Sequence, residues 1–261
     1  MKLSIVTITL NAEDSIETTI KSVLNQSVPV YEYLLIDGGS KDGTNEIILS
    51  YKNAIEEKGI RFFHLSEKDR GISDAFNKGI KYASGDFIGI INSADELLPQ
   101  ANELIQEFVD THDCDIVYGN CLWLDEKNGL RYVRKPEGSL NRLYYDLVLL
   151  HPSTFVRKAS YDIHGVFNID YKLCMDKELL LRMYIGGERF AYLDKELTII
   201  RAGGVSDQNV IRTIREGIKL SNAYHRPKVY TYLNALRKIV RYKVSAFLKR
   251  AGLFKFIRRN K

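Results

Sequence analysis

Residues 85–99, Gly-Asp-Phe-Ile-Gly-Ile-Ile-Asn-Ser-Ala-Asp-Glu-Leu-Leu-Pro, carry the reading that decides the fold. Phe87–Ile91 is a short apolar run with β-branched members, the pattern of a buried strand, and it stops at the polar turn Asn92-Ser93-Ala94-Asp95. An open α/β sheet has its ligand crevice beyond the carboxyl ends of its strands, so an oxygen-rich turn there is suited to a metal or a phosphate. The same turn also reads as a helix cap, with Ser93 or Asp95 capping a helix that begins near Pro99. Taken alone, the turn leaves both readings open.

Towards the N-terminus the strand repeats. Residues 3–10 read as a first strand, Tyr33–Ile36 as a second and Arg61–Leu65 as a third. The intervening helices are marked by Ile16, Ile20, Val23 and Leu24, then Ile47, Ile48, Tyr51 and Ile55, then Ile72, Ala75, Phe76, Gly79, Ile80 and Ala83. Four strands separated by helices predict a mostly parallel sheet covered on both faces, because parallel strands need crossover connections. The polar clusters Thr9–Asn11, Asp37–Asp42, Glu67–Asp69 and Asn92–Asp95 each follow a strand end. In such a sheet they converge on one edge, which is how a site is assembled.

Towards the C-terminus a helix with Leu104, Ile105, Phe108 and Val109 leads to a strand over Asp115–Leu124. An exposed turn follows at Asp125–Gly129, and His151–Phe155 enters another strand. Asp176–Gly187 reads as a helix stopped by its two glycines, and two short strands, Phe190–Leu193 and Thr198–Arg201, precede Ala202–Ser206. Arg201 through Ser206 has the make-up of a flap hinged at Gly203-Gly204.

Everything from Asp207 reads as helical. Leu233, Leu236, Val240, Val244 and Phe247 share a face, with Arg237, Lys238, Arg241 and Lys243 interleaved and Lys249, Arg250, Lys255, Arg258 and Arg259 beyond. Residues 217–261 hold thirteen Lys or Arg and no acidic residue, so the net +5 divides into −8 before Gly217 and +13 after it. An amphipathic basic helix fits an anionic membrane surface. Nucleic acid is disfavoured by the apolar face and the lack of a nucleic-acid motif. A helix packed on the domain, with solvated lysines, is the third reading.

At 261 residues the chain can bury a proper core without staples. Its three cysteines are odd in number and lack metal-ligand spacing, which fits a reducing compartment. The N-terminal apolar run is too short for a signal peptide or a span, and no other segment is long enough to cross a bilayer.

The ordered set TLN, IDGGSKDGT, SEKDRGISDAFNKGI, GDFIGIINSADELLP, HPSTF, MDKELLLR and GGVS, over roughly residues 2–206, resembles a family-2 glycosyltransferase with the GT-A fold, of the kind that builds bacterial surface polysaccharides. The resemblance implies a GT-A-like (Rossmann-like) α/β domain over 1–206, with 1–99 holding the nucleotide, 100–206 facing the acceptor, and 207–261 a basic helical extension. It implies that Thr9, Asn11 and Glu13 border the nucleotide, that Asp37 accepts from the uracil edge beside Ser40 and Asp42, and that Glu67, Asp69, Gly71 and Asp74 shape the ribose and sugar side. Asn92, Ser93 and Ala94 would flank the diphosphate with Arg201, His151 would lie near the sugar, and Asp95 would be the principal ligand of Mg²⁺ or Mn²⁺. Two positions depart from the usual pattern of several acidic groups, since Asn92 and Ala94 leave Asp95 as the sole formal charge.

Asp176 matches the family's base. Local sequence alone would make it a helix cap. A helix N-terminus would lower its pKa and keep it ionised. Glu178 is the runner-up, with Arg182 its structural partner. The implied activity is an inverting transfer from a UDP-sugar to a polyprenyl-diphosphate-linked saccharide of O-antigen or capsule type, at the cytoplasmic face of the plasma membrane. Two alternatives stay open: a nucleotidyltransferase, which would want a glycine-rich basic loop after the first strand that is absent here, and a non-catalytic assembly protein that keeps the fold.

Overall fold

The structure is a computed structural model that describes residues 1–203 and 209–250. Strands β1 (Leu3–Thr9), β2 (Glu32–Asp37), β3 (Arg61–Ser66) and β4 (Phe87–Asn92) lie in the order β3-β2-β1-β4 and pair in parallel. The crossovers carry α1 (Ile16–Leu24), α2 (Thr44–Ser50), α3 (Lys52–Glu57) and α4 (Ile72–Tyr82). Central β1 is apolar on both faces, as a doubly covered strand must be. Its Leu3 and Ile5 pack with Ile16, Ile20 and Val23 of α1, while Val6 packs with Phe76 and Ile80 of α4. Gly79 lets α4 lie close, because a Cβ there would overlap the Val6 side chain. Thr9 pairs with Asp37, Asp37 with Ser66 and Ile8 with Asn92, so the four strands end level and their polar loops share one edge.

The helix expected over 47–55 is two helices, because the Tyr51 N–H bonds back to Ile48 and tightens the turn. The helix expected near Pro99 is α5 (Ala101–Thr111), with Gln100 in the cap position. Neither Ser93 nor Asp95 caps it, and a two-residue strand, β5 (Glu96–Leu97), intervenes.

The second half turns the sheet from parallel to mixed. Its strands are β6 (Ile116–Asp125), β7 (Leu130–Arg134), β8 (Thr154–Arg157) and β9 (Phe190–Arg201), and its helices α6 (Lys158–His164) and α7 (Met175–Ile185). Beyond β4 the order is β8-β6-β9-β5, with β7 on β6. Pairs β4–β8, β6–β8, β6–β7 and β5–β9 are antiparallel, and β6–β9 is parallel. The two short strands expected at 190–201 are one strand. Its register shifts opposite Gly119 and Asn120, and the polar bulge Asp194-Lys195-Glu196 that absorbs the shift is what reads as a gap in the sequence. The turn at 125–129 closes the β6–β7 hairpin, with Gly129 at φ +61°.

The C-terminal extension is α8 (Val210–Ala223) and α9 (Lys228–Arg250), broken at Tyr224–Pro227. The proposed hinge residue Gly204, with Val205 and Ser206, lies outside the described residues, as do Lys255, Arg258 and Arg259. Helix α9 buries Thr231 and Ala235. Its Asn234 and Lys238 donate to the Tyr145 carbonyl at 3.1 and 3.3 Å, and Lys238 pairs with Asp146 at 2.9 Å. The opposite face is apolar and open, with Val229, Leu233, Leu236, Val240, Val244 and Phe247 each between 50% and 68% exposed. The apolar face is therefore not the one that packs on the domain. Among the described residues no helix is long and apolar enough to cross a membrane.

Candidate active site

The loops after β1 and β2 are knitted together by the residues expected to border a nucleotide. The Asn11 N–H donates to Ser40 Oγ at 2.8 Å, and Asn11 Oδ1 accepts from the Lys41 N–H at 2.9 Å. Glu13 accepts from the Gly43 N–H at 2.7 Å, while Asp42 accepts from the Glu13 N–H at 3.3 Å and from Thr44 Oγ1 at 2.6 Å. Asn11 sits at φ +48°, a conformation that Asn tolerates better than most residues.

Asp37 is fully buried at the hub. It accepts the Gly39 and Ser40 N–H groups at 3.1 and 2.9 Å, Asn45 at 2.9 Å, Ser66 at 2.6 Å, and the Ser40 hydroxyl. Burial works to raise its pKa, but the hydrogen bonds from Ser40, Ser66 and Asn45 outweigh it and hold the carboxyl below its usual value. Four of those donors meet Oδ2, so Oδ1 keeps acceptor capacity beyond its one partner, Ser40. Nearby Thr9 Oγ1 is buried without a partner.

The third loop closes on the second. Asp69 packs against Gly38 and accepts from the Gly71 N–H at 2.8 Å, with Gly71 at φ +115°. Asp74 holds Arg70 at 3.0 Å, and Lys78 pairs with Glu67 at 2.9 Å. Glu67, Asp69, Gly71 and Asp74 thus form one ionic and hydrogen-bonded turn.

In the fourth loop Asp95 is 8% exposed, and burial pushes its carboxyl up to about 6. Asn92 donates to it at 3.3 Å and the Arg201 N–H at 3.4 Å. Ala94 stands at φ +90°, pinned by its N–H to Thr19 Oγ1 and by its carbonyl to the Arg201 guanidinium. Arg201 also pairs with Glu96 at 2.6 Å and with Glu126 at 3.3 Å. Its side chain thus clips the end of β9 to the Ala94–Glu96 turn and to Glu126. Among the described residues no three His, Cys, Asp or Glu side chains group as a metal cage. One carboxylate beside an amide fits an Mg²⁺ or Mn²⁺ ion whose shell is completed by diphosphate oxygens and water.

Asp176 and His151 form a second cluster. The His151 ring packs against the touching pair Phe76 and Phe167, at centroid distances of 5.3 and 5.9 Å. Burial lowers the His151 pKa while the nearby Asp176 charge opposes the shift. Asp176 is pushed up by burial, against the pull of His151 and of the Lys177 N–H, which donates at 2.7 Å. The lowered pKa expected from the helix N-terminus is therefore reversed, because desolvation exceeds the dipole here. Glu178 is engaged by Arg182 at 3.0 and 2.9 Å, so it serves as an anchor rather than a free base. Ser73 donates to the Tyr171 carbonyl at 3.2 Å and Lys172 to the Arg70 carbonyl at 3.4 Å, which ties this cluster to the third loop.

Several working residues escaped the sequence reading. Asn45 and Ser66 are ordinary loop and strand-end polars with no pattern to mark them. Thr19 did carry a signal, as a hydroxyl inside the apolar stripe of Ile16, Ile20 and Val23.

Such a set of loops at the carboxyl ends of a βα sheet can be compared with known proteins. The profile described as "Glycosyl transferase family 2" matches residues 4–180. The chain belongs to glycosyl transferase family 2. A PGL/p-HBAD biosynthesis glycosyltransferase of Mycobacterium bovis is 27% identical over 184 residues, 69% of each chain. A Bacillus subtilis protein named for teichuronic acid biosynthesis, TuaG, is 32% identical over 137 residues, 52% of this chain and 53% of its own. Staphylococcus aureus TarS 1–349 in complex with UDP-GlcNAc superposes with a TM-score of 0.67 at 21% identity, over 92% of this chain and 72% of that one. Against a longer TarS structure the chain spans 39% of that length. The mannosyltransferase PcManGT of Pyrobaculum calidifontis, in complex with GDP-Man and Mn²⁺, gives 0.62 at 15% identity, over 96% and 79%.

Proposed function

We propose that this family 2 glycosyltransferase moves a sugar from a UDP-sugar to a lipid-linked saccharide with inversion, in the assembly of a cell-surface polysaccharide. The observation that carries the reading is the common edge at which β1 to β4 end, where the buried Asp37 and Asp95 sit in two of the strand-end loops and the Ser73–Tyr171 contact ties the segment before Asp176 to a third. The UDP-GlcNAc complex of the TarS neighbour supports the donor class. Thr9, Asn11, Glu13, Asp37, Ser40 and Asp42 would hold the nucleotide, with Asp37 Oδ1 reading the uracil N–H. Glu67, Asp69, Gly71 and Asp74 would line the ribose and sugar.

Asp176 takes the proton of the acceptor hydroxyl as that oxygen attacks the anomeric carbon, and the bond to UDP breaks on the opposite face. A carboxylate whose pKa is raised is a stronger base for this step than an ordinary one. Asn92 and Asp95 would hold the divalent ion, which supplies charge stabilisation to the departing diphosphate. His151, the electrostatic neighbour of Asp176, would lie near the sugar, and Arg201 fixes the turn that carries Asp95. The open apolar face of α9, with its basic flanks, would lie on an anionic membrane where a polyprenyl-diphosphate-linked acceptor resides.

Hydrolysis of UDP-GlcNAc, UDP-glucose and UDP-galactose, each with and without Mn²⁺, tests the reading. Metal-stimulated turnover of one of them is expected. A second reading, a non-catalytic assembly protein, is favoured by the single carboxylate of the Asn92–Asp95 turn. It requires UDP binding with no turnover of any donor.

A further inference from the structure

Glu216 of α8 reaches across to the segment that leads into α7. Its Oε2 accepts three consecutive backbone N–H groups, from Lys172 at 3.1 Å, Leu173 at 2.8 Å and Cys174 at 3.1 Å. Oε1 accepts a second, longer bond from Lys172 at 3.3 Å. Three successive N–H groups converging on one anion make a nest, a geometry that fixes the backbone conformation supplying it. The nest ends at Cys174, the cap position of α7, and Asp176 follows two residues later. Cys174 Sγ bonds to the Thr213 carbonyl at 3.4 Å, and Lys219 lies over the Tyr171 ring at 5.2 Å, so α8 grips residues 171–174 along two of its turns.

We propose that Glu216 is a positioning residue for catalysis, its carboxylate setting the backbone of Lys172–Cys174 and through it the direction in which Asp176 faces the acceptor. The inference rests on the reading of Asp176 as the base. On it, the C-terminal extension belongs to the catalytic machinery, because the helix that precedes α9 supplies the anion that organises the N-terminus of α7. Without that anion, three adjacent N–H groups lose their shared partner and the turn before Asp176 relaxes. A misplacement of about 1 Å at a reacting group can cost on the order of a hundredfold in rate.

The test compares Glu216→Ala, Glu216→Gln, Asp176→Asn and the double variant Asp176→Asn/Glu216→Ala in the full chain. Turnover is measured with UDP-GlcNAc, UDP-glucose and UDP-galactose and Mn²⁺, alongside UDP affinity and thermal unfolding. Expected are a kcat loss of about tenfold in Glu216→Ala at unchanged donor KM and UDP affinity, and partial rescue by Glu216→Gln, which keeps one acceptor oxygen. The double variant should be no slower than Asp176→Asn, since the two residues act through one step. A normal kcat in Glu216→Ala, or a loss that multiplies with that of Asp176→Asn, overturns the role of Glu216. Near-normal turnover in Asp176→Asn overturns the base assignment itself, and the proposal for Glu216 with it.

Discussion

The Asn92 amide donates to the Asp95 carboxylate across 3.3 Å, so the residue that stands where a second acid is usual is the partner of the only acid in the turn. That contact is too long to offset the burial of Asp95, whose carboxyl sits at about 6. Metal binding must displace the proton. We expect the affinity for Mn²⁺ in the presence of UDP to rise about tenfold per pH unit below 6 and to level off above it. Titration calorimetry at several pH values measures this, and Asp95→Asn should remove the dependence.

The same group links folding to pH. A folded pKa of about 6, above the ordinary 3.8, means that the native state holds the proton more tightly. The stabilisation is complete below pH 4 and is lost as pH rises through 6, by about 3 kcal/mol at most. Chemical denaturation of the metal-free protein at pH 4.5 and 7.5 should reveal the loss, and Asp95→Asn should reduce it, leaving the part that belongs to Asp176.

Ala94 holds a φ of +90° that an L side chain adopts at a cost. Ala94→Gly should therefore raise stability by about 1 kcal/mol, since relief of the left-handed strain exceeds the added chain entropy. A lower melting temperature in the variant would contradict this.

Asp176→Asn should lower turnover by about a hundredfold or more while UDP affinity holds, the size expected for a general base. The base must be ionised to act. Because burial raises its pKa, the wild-type rate should fall with decreasing pH from a point above the usual carboxylate range. A pH–rate profile that stays flat down to pH 4 would sink the assignment.

Leu236→Asp with Val240→Asp places two charges on the open face of α9 and leaves its packed face intact. Flotation with vesicles containing anionic lipid should show most of the bound fraction lost, with donor hydrolysis in solution unchanged. Equal flotation of variant and wild type would remove the membrane from the account.

The parallel half of the fold was legible because β2 and β4 hold short apolar runs, β1 interrupts its apolar residues only with Ser and Thr, β3 carries Phe62, Phe63 and Leu65, and a polar cluster follows each strand directly. In the mixed half the sequence marks β6, the entry to β8 and α7, but not their order in the sheet. The strand β9 hides its continuity in the Asp194–Glu196 bulge, and β7 carries too much charge, at Arg131 and Arg134, to read as a strand. Asp95 and Asp176 were found as acids, but their pKa directions depend on what surrounds them in space. Asp176 illustrates this well, since its position at a helix start points one way and its burial points the other. The role of Arg201 was half visible: its charge invited a diphosphate, whereas Glu96, Glu126 and the Ala94 carbonyl all claim it.

Helix α9 is fastened to the rest of the protein by polar contacts through Asn234, Lys238 and Asp146 and by the burial of Thr231 and Ala235, while its oily side faces outward. Ionic strength therefore acts in the same direction on the seating of the helix and on the membrane contact proposed for it. Salt screens the Lys238–Asp146 pair that seats the helix and equally the attraction between its cationic flanks and an anionic bilayer. On that proposal dilute buffer favours a seated, adhesive helix, and concentrated salt loosens it from both sides at once.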